Sequence, residues 1–193
     1  MSYPKLALGL LHYPIKDSHK RIIATNITNF DIHDIARAGT VYGVDAYFLV
    51  HPMKDQLMFV ERVLDHWRAG DGAKYNSVRK ASLERVRTAD SLESAVQQWT
   101  QELGSKKCLR IGTHARPVPG VKEFSIDEMK KVIWEDQTPV FLLFGTGYGM
   151  TDEYMQGLDG VLESIKGAPP RDFRHLSVRS AVSIYLDRLM GSC

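Results

Sequence analysis

Cysteine is scarce in this 193-residue sequence: Cys108 and Cys193 stand alone, in no motif spacing. That excludes a disulfide framework and a cysteine-based zinc site, and it points to a reducing, cytoplasmic setting. Long apolar runs are missing as well. The stretch Leu6 to Leu11 is broken by His12 and Pro14, too short for a signal segment with its cleavage site. No run approaches the roughly 18 apolar residues of a membrane span, so the chain is expected to be neither secreted nor membrane-embedded. Charge of one sign is nearly absent, with 25 Lys and Arg against 23 Asp and Glu for a net charge of +2. Bulk electrostatics therefore announces no polyanionic partner, and any basic surface must be local. Repeats, low-complexity tracts and Pro/Ser-rich linkers are lacking, which predicts one domain over residues 1–193. The histidines, at 12, 19, 33, 51, 66, 114 and 175, show no helical His/Glu pairing of ligand type, so no metal site is expected.

What is present is a globular composition, 44% hydrophobic and 25% charged. Short apolar runs alternate with segments of helical period, the pattern of an α/β domain with a parallel sheet covered by helices. The expected strands are Leu6 to Leu11, Ala46 to Val50, Leu83 to Arg87, Leu109 to Thr113, Val140 to Phe144 and Val161 to Ile165. Helical spacing is read over Asp55 to Ala69, Ser91 to Leu103 and Leu176 to Met190, and Ser125-Ile-Asp-Glu128 fits a capping box. The segment Arg68 to Arg87 is locally basic. It reads as a solvated surface loop or as a phosphate-contacting patch.

The run Val140-Phe-Leu-Leu-Phe144 enters Gly145-Thr-Gly-Tyr-Gly149 and then Thr151-Asp-Glu, the start of a short helix. Glycines at the carboxyl end of a buried strand let backbone amides approach a ligand, although a tight strand-to-helix turn accounts for them equally well. A dinucleotide fold, with Glu163 as ribose-binding carboxylate and an oxidoreductase as the function, competes. The Gly145-x-Gly147-x-Gly149 spacing and the short stretch after it argue against that reading.

Two further blocks accompany the glycine turn. One is Asn26-Ile-Thr-Asn29 followed by a helical stretch with Arg37 and the entry Val-Tyr-Gly43. The other is Ile165-Lys-Gly167, a polar loop, and Leu176-Ser-Val178-Arg-Ser-Ala181. In this order the three blocks resemble the SPOUT superfamily of S-adenosylmethionine-dependent RNA methyltransferases. The nearest likeness is a small group related to the catalytic domain of tRNA guanine-N1 methyltransferase.

The resemblance implies a C-terminal trefoil knot, an exception to the rule against knots, a homodimer, S-adenosylmethionine as cofactor and tRNA or rRNA as substrate. Cofactor contacts would fall at Thr113, His114, Gly145, Thr146, Gly147, Gly149, Ile165, Gly167, Leu176, Val178 and Ala181. Arg37 matches the helix Arg that the ribose-methylating branch uses near its target hydroxyl. Ser177 and Arg179 depart from that branch, which has Asn and Ser there. A base-methylating branch uses an acidic residue to take a ring proton, for which Asp172 is the candidate, a solvated loop Asp beside Arg171 and Arg174 being the plainer account. RNA would meet Arg68, Lys74, Arg79 and Lys80 together with Arg171, Arg174 and Arg179, with Tyr75 and Phe173 as stacking rings. The apolar Val182, Ile184, Tyr185, Leu186 and Leu189 of the last helix exceed one core stripe, and with the helix around Arg37 suggest a dimer surface. A cofactor- or RNA-binding protein without catalysis is the alternative.

Overall fold

The computed structural model describes residues 3–105 and 107–191, so Cys193 lies outside the described residues. In chain order the elements are β1 (Leu6–Leu11), β2 (Ile15–Lys16), β3 (Ile22–Ile23), α1 (Asn29–Val41), β4 (Ala46–Val50), α2 (Lys54–Arg68), α3 (Asp71–Tyr75), α4 (Ser77–Leu83), β5 (Val86–Ala89) and α5 (Leu92–Leu103). There follow β6 (Leu109–Thr113), β7 (Glu123–Phe124), α6 (Ile126–Lys130) running into a π-helical turn at Lys131–Glu135, β8 (Val140–Gly145), α7 (Asp152–Gln156), β9 (Gly160–Leu162) and α8 (Val178–Met190).

Seven strands form one sheet in the order β5-β4-β1-β8-β6-β9-β7, and every pairing in it is parallel. The central strands β1 and β4 are buried along their whole length and β8 up to Phe144, as a sheet covered on both faces requires. Alternate side chains then feed two cores. Leu6, Leu8, Leu10, Leu142 and Phe144 meet α1, α2, α6 and α8 through Ile32, Ile35, Leu64, Met129 and Leu186. Ala7, Leu11, Phe48, Phe141 and Leu143 meet α5 and α7 through Trp99 and Met155. A Cβ on Gly9 would stand 2.7 Å from the Phe141 ring, so the glycine in β1 makes room for that aromatic packing.

Local chemistry sets the helix ends. Thr28 and Asp31 close a capping box on α1, and Ser125 and Glu128 form the expected one on α6. The strand expected over Leu83–Arg87 is displaced to Val86–Ala89. Asn76 caps a helix by accepting from Arg79 N, and Leu83 closes that helix with its side chain in the core. Thus the basic segment is two short helices rather than a loop. The strand expected over Val161–Ile165 shrinks to Gly160–Leu162, because its neighbour β7 ends at Phe124 and Glu163 Oε1 accepts from Ile126 N at the start of α6, 2.8 Å away. The last helix starts at Val178, with Ser177 as its cap.

Among the described residues no helix is long and apolar enough to cross a membrane, and no cluster of three or more His, Cys, Asp or Glu is placed to hold a metal ion. Arg68 is turned inward. It donates to Leu83 O (2.6 Å) and Val86 O (2.5 Å), tying α2 to the start of β5, which removes it from the RNA-facing set. Replacing Arg68 by Ala leaves those carbonyls without their donor and should cost about 2 kcal/mol in urea denaturation. The exposed Lys74→Ala should stay within about 0.5 kcal/mol of the parent.

Candidate active site

Because β8, β6 and β9 are adjacent and parallel, the loops after their carboxyl ends leave the same sheet edge. Those loops carry the expected cofactor contacts: Thr113 and His114 after β6, Gly145 to Gly149 after β8, and Ile165 to Ala181 after β9. Thr113 Oγ1 donates to Leu143 O at 2.9 Å, locking the first loop's base to β8. His114 is nearly buried and lies 3.3 Å from Glu123 Oε2, yet neither ring nitrogen makes a hydrogen bond. Buried polar atoms without hydrogen-bond partners are uncommon in native proteins.

The glycine turn is gripped on one side by the chain itself. Lys16 N donates to Gly149 O and Tyr148 N to Lys16 O, while Lys16 Nζ pairs with Asp152 at 2.7 Å. Gly147 and Gly149 have φ of +55° and +91°, conformations that suit glycine. A Cβ on Gly147 would lie 3.1 Å from Ile15 Cγ2. A branched residue at 147 therefore strains the turn against the β2–β3 hairpin, and the glycine spacing is partly architectural.

In the third loop, a Cβ on Gly167 would lie 2.5 Å from Phe173 N and O, so the chain folds tightly back on itself there. Asp172 holds this fold. Its Oδ1 accepts from Gly167 N at 2.7 Å and its Oδ2 from the Arg174 guanidinium, and the Arg174 hydrogen bond, with that from Gly167, lowers its pKa from the ordinary value. Asp172 is thus built as a loop staple, with both oxygens occupied, rather than as a free base. Arg174 also donates to Ser164 Oγ. Leu176 is exposed, whereas Ile165, Val178 and Ala181 pack against the core beneath.

The proposed RNA-facing cations do not gather on one rim. Lys74, Arg79 and Lys80 sit on α3 and α4, which pack on α1 and α2 near the β5–β4 end of the sheet. Arg79 stacks over the Trp67 ring at 4.4 Å, and burial together with Arg79 lowers the His33 pKa. Arg171 and Arg174 instead line a cleft of about 230 Å³ with Ala115, Arg116, Phe173 and His175. Arg116 was not among the residues the sequence singled out. Arg179 is committed elsewhere: it pairs with Asp34 at 2.8 Å, approaches Asp31 at 3.9 Å and covers the Phe30 ring, docking α8 on α1. Arg37, exposed on the same helix, forms no hydrogen bond or ion pair among the described residues, while Asp34 one turn before it pairs with Arg179.

A second set of residues escaped the sequence pattern. His12, at the end of β1, and His51, at the end of β4, are both buried. They close on Thr25, whose hydroxyl lies 3.0 Å from His12 Nδ1 and 2.5 Å from Thr146 Oγ1 of the glycine turn. The sequence signal was a polar residue ending each of two apolar strands, where α/β sheets place their sites.

The family model for SAM-dependent RNA methyltransferases matches residues 5–191. The chain belongs to that family. A protein of Aquifex aeolicus described as uncharacterized is 36% identical over 184 residues, covering 95% of this chain and 87% of that protein. A tRNA (guanine-N(1)-)-methyltransferase of Nitratidesulfovibrio vulgaris is 33% identical over 188 residues, covering 97% of this chain and 42% of its own length. This family member thus spans less than half of that relative. Its fold is also that of a probable methyltransferase from Bordetella pertussis, with a TM-score of 0.62 at 17% identity over 97% of this chain and 93% of that one.

Burial, with the neighbouring His51 adding to it, pushes the His12 imidazole from 6.5 down to about 4. As pH falls below 6.5 the unfolded chain takes up a proton that the folded chain refuses until about 4, so stability is lost across that window. At about 1.4 kcal/mol per pH unit the loss approaches roughly 3 kcal/mol. Urea denaturation at pH 7.5, 5.5 and 4.5 should show this slope, and His12→Asn should flatten it.

Proposed function

We propose that the chain transfers the methyl group of S-adenosylmethionine to an RNA acceptor of the tRNA or rRNA class, in the cytoplasm. The observation that carries this reading is the convergence of three strand-end loops on one sheet edge, beside a His114 ring whose Nδ1 makes no hydrogen bond, in a member of the SAM-dependent RNA methyltransferase family. S-adenosylmethionine, when bound, supplies an electrophilic methyl group. The residues that would hold it are Thr113, His114, Gly145, Thr146, Gly147 and Gly149, with Ile165, Gly167, Leu176, Val178 and Ala181 closing the third side. Asp172 contributes by keeping the 167–174 loop folded. Such a site works by orienting two substrates rather than by polarising one. The N. vulgaris relative is named as acting on tRNA, which makes mixed tRNA the first substrate to test.

Arg37 is the residue we assign to the acceptor or its phosphate. We propose that it acts from a homodimer formed across α1, whose Phe30 and Val41 are 66% and 77% exposed. The apolar surplus read on the last helix does not supply that surface, since Val182, Tyr185, Leu186 and Leu189 are buried in the chain's own core. We also propose that the C-terminal third is knotted. Strand β9 pairs with β6 on one side and β7 on the other. The connection from β6 to β7 packs Val118 and Val121 on the α5 face, α6 lies on the opposite face, and the chain leaving β9 reaches α8 on that opposite face.

Calorimetry should find S-adenosylhomocysteine bound in the micromolar range, about −8 kcal/mol. Arg37→Ala should leave that affinity within about twofold while lowering labelled methyl transfer to tRNA by about two orders of magnitude. Equal loss of both would make Arg37 architectural. For RNA, Arg116→Ala with Arg171→Ala should reduce the log-log salt slope of tRNA binding by about 1.4, at roughly 0.7 per phosphate contact. An unchanged slope moves the RNA surface away from the cleft.

A further inference from the structure

Thr25 is held at every polar atom it has. Its N–H donates to His12 O at 2.9 Å, its carbonyl lies 3.1 Å from His51 Nε2, and its hydroxyl sits between His12 Nδ1 and Thr146 Oγ1. The His51 tautomer follows from its neighbours. Met53 N donates to His51 Nδ1 at 3.0 Å, so the ring proton is on Nε2 and is given to the Thr25 carbonyl.

The polarity of the hydroxyl chain depends on His12. Its ring is fully buried and Nε2 has no partner. A buried N–H without an acceptor is rarer in proteins than an under-satisfied acceptor, which favours a bare Nε2 and a proton on Nδ1. Burial also keeps the imidazole neutral near pH 7, so one nitrogen carries a proton and the other does not. With the proton on Nδ1, His12 donates to Thr25 Oγ1, and the Thr25 hydroxyl donates to Thr146 Oγ1. The Thr146 hydroxyl proton is then left for something outside the cluster. With the opposite tautomer every bond in the chain would reverse, and Thr146 would offer an acceptor instead.

We propose that His12, acting through Thr25, fixes the Thr146 hydroxyl as a hydrogen-bond donor to an acceptor atom of bound S-adenosylmethionine. His12 and Thr25 are positioning residues in this arrangement, and Thr146 is the group that touches the ligand. The inference rests on the placement of the cofactor at the glycine turn proposed above. It gives the buried histidine at the end of β1 a task that packing alone does not require, since a core position filled by an apolar residue would leave no unpaired ring nitrogen.

The test combines calorimetry with S-adenosylhomocysteine and long-range proton–nitrogen NMR of histidine-labelled protein at pH 7. Thr25→Val and Thr146→Val, each replacing a hydroxyl by a methyl group of similar size, should weaken binding by about three- to tenfold. The double variant should be no weaker than the weaker single one, because both changes remove the same donor. Thr25→Ser should restore affinity to within about twofold, and the NMR spectrum should show His12 protonated on Nδ1. Should Thr25→Val fail to fold, His12→Asn, whose amide N–H can replace Nδ1–H, should keep affinity where His12→Leu loses it. Unchanged binding by Thr146→Val would overturn the Thr146 contact, while a parent protein that binds no S-adenosylhomocysteine would overturn the underlying placement. Weakened binding by Thr146→Val with parent-like Thr25→Val, or additive losses in the double variant, would overturn the relay alone. A proton found on His12 Nε2 would overturn the donor assignment.

Discussion

A parallel strand can join its neighbour only through a chain that crosses back over the sheet, and this constraint organises the molecule. All seven main strands run the same way, so each connection spends a helix or a long loop on one face and every strand delivers its following loop to a single edge. Residues far apart in sequence, such as His12, His51, Thr113 and Thr146, become neighbours in that edge without any local signal binding them. The apolar content of β1, β4 and β8 is the cost of this arrangement. Strands covered on both faces must bury both sets of side chains, and they leave polar chemistry to the residue at which each strand stops.

At that edge the backbone is shaped by contacts within the chain. The glycine turn leans on Lys16 through two backbone hydrogen bonds, and the third loop closes on Gly167 through the Asp172 carboxylate. Loops held by such contacts suit the orientation-governed transfer proposed above, because holding two reactants together is what lowers its entropy cost. It also means that a glycine substitution here tests architecture and ligand contact at once. Hydroxyl-to-methyl changes such as those at Thr25 and Thr146 separate the two more cleanly.

Much of this could be read in the sequence, for identifiable reasons. The bounds of β1 and β4 coincide with apolar runs flanked by polar or turn residues, since a fully buried strand has a simple signature. The Ser125 box and the stop of α2 before Gly70 were legible because caps are local. The failures were tertiary. Leu83-Glu-Arg-Val-Arg87 alternates like a strand, but Leu83 belongs to the helix that packs on α1, and only the Asn76 cap separates the two readings. Arg68 looks like one of a row of basic residues until Leu83 O and Val86 O come within its reach. The His12–Thr25–His51 cluster carries no motif, because its members meet only when β1, β4 and the segment before α1 are assembled.

Arginine shows most plainly how the fold decides what is available for function. A guanidinium has several donors and no acceptor, so it serves a stranded carbonyl or a carboxylate as readily as a phosphate. In this chain Arg68 bridges two carbonyls, Arg174 staples a loop, and Arg179 docks α8 on α1 through Asp34. The last of these has a consequence at a distance. Asp34 lies one helical turn before Arg37, close enough for an exposed ion pair worth about 0 to 1 kcal/mol. In the structure Arg179 from the other helix pairs with Asp34, while Arg37 is exposed and makes no ion pair among the described residues. Helix docking thus engages the carboxylate nearest Arg37 on α1, through a residue 142 positions beyond Arg37 in the chain.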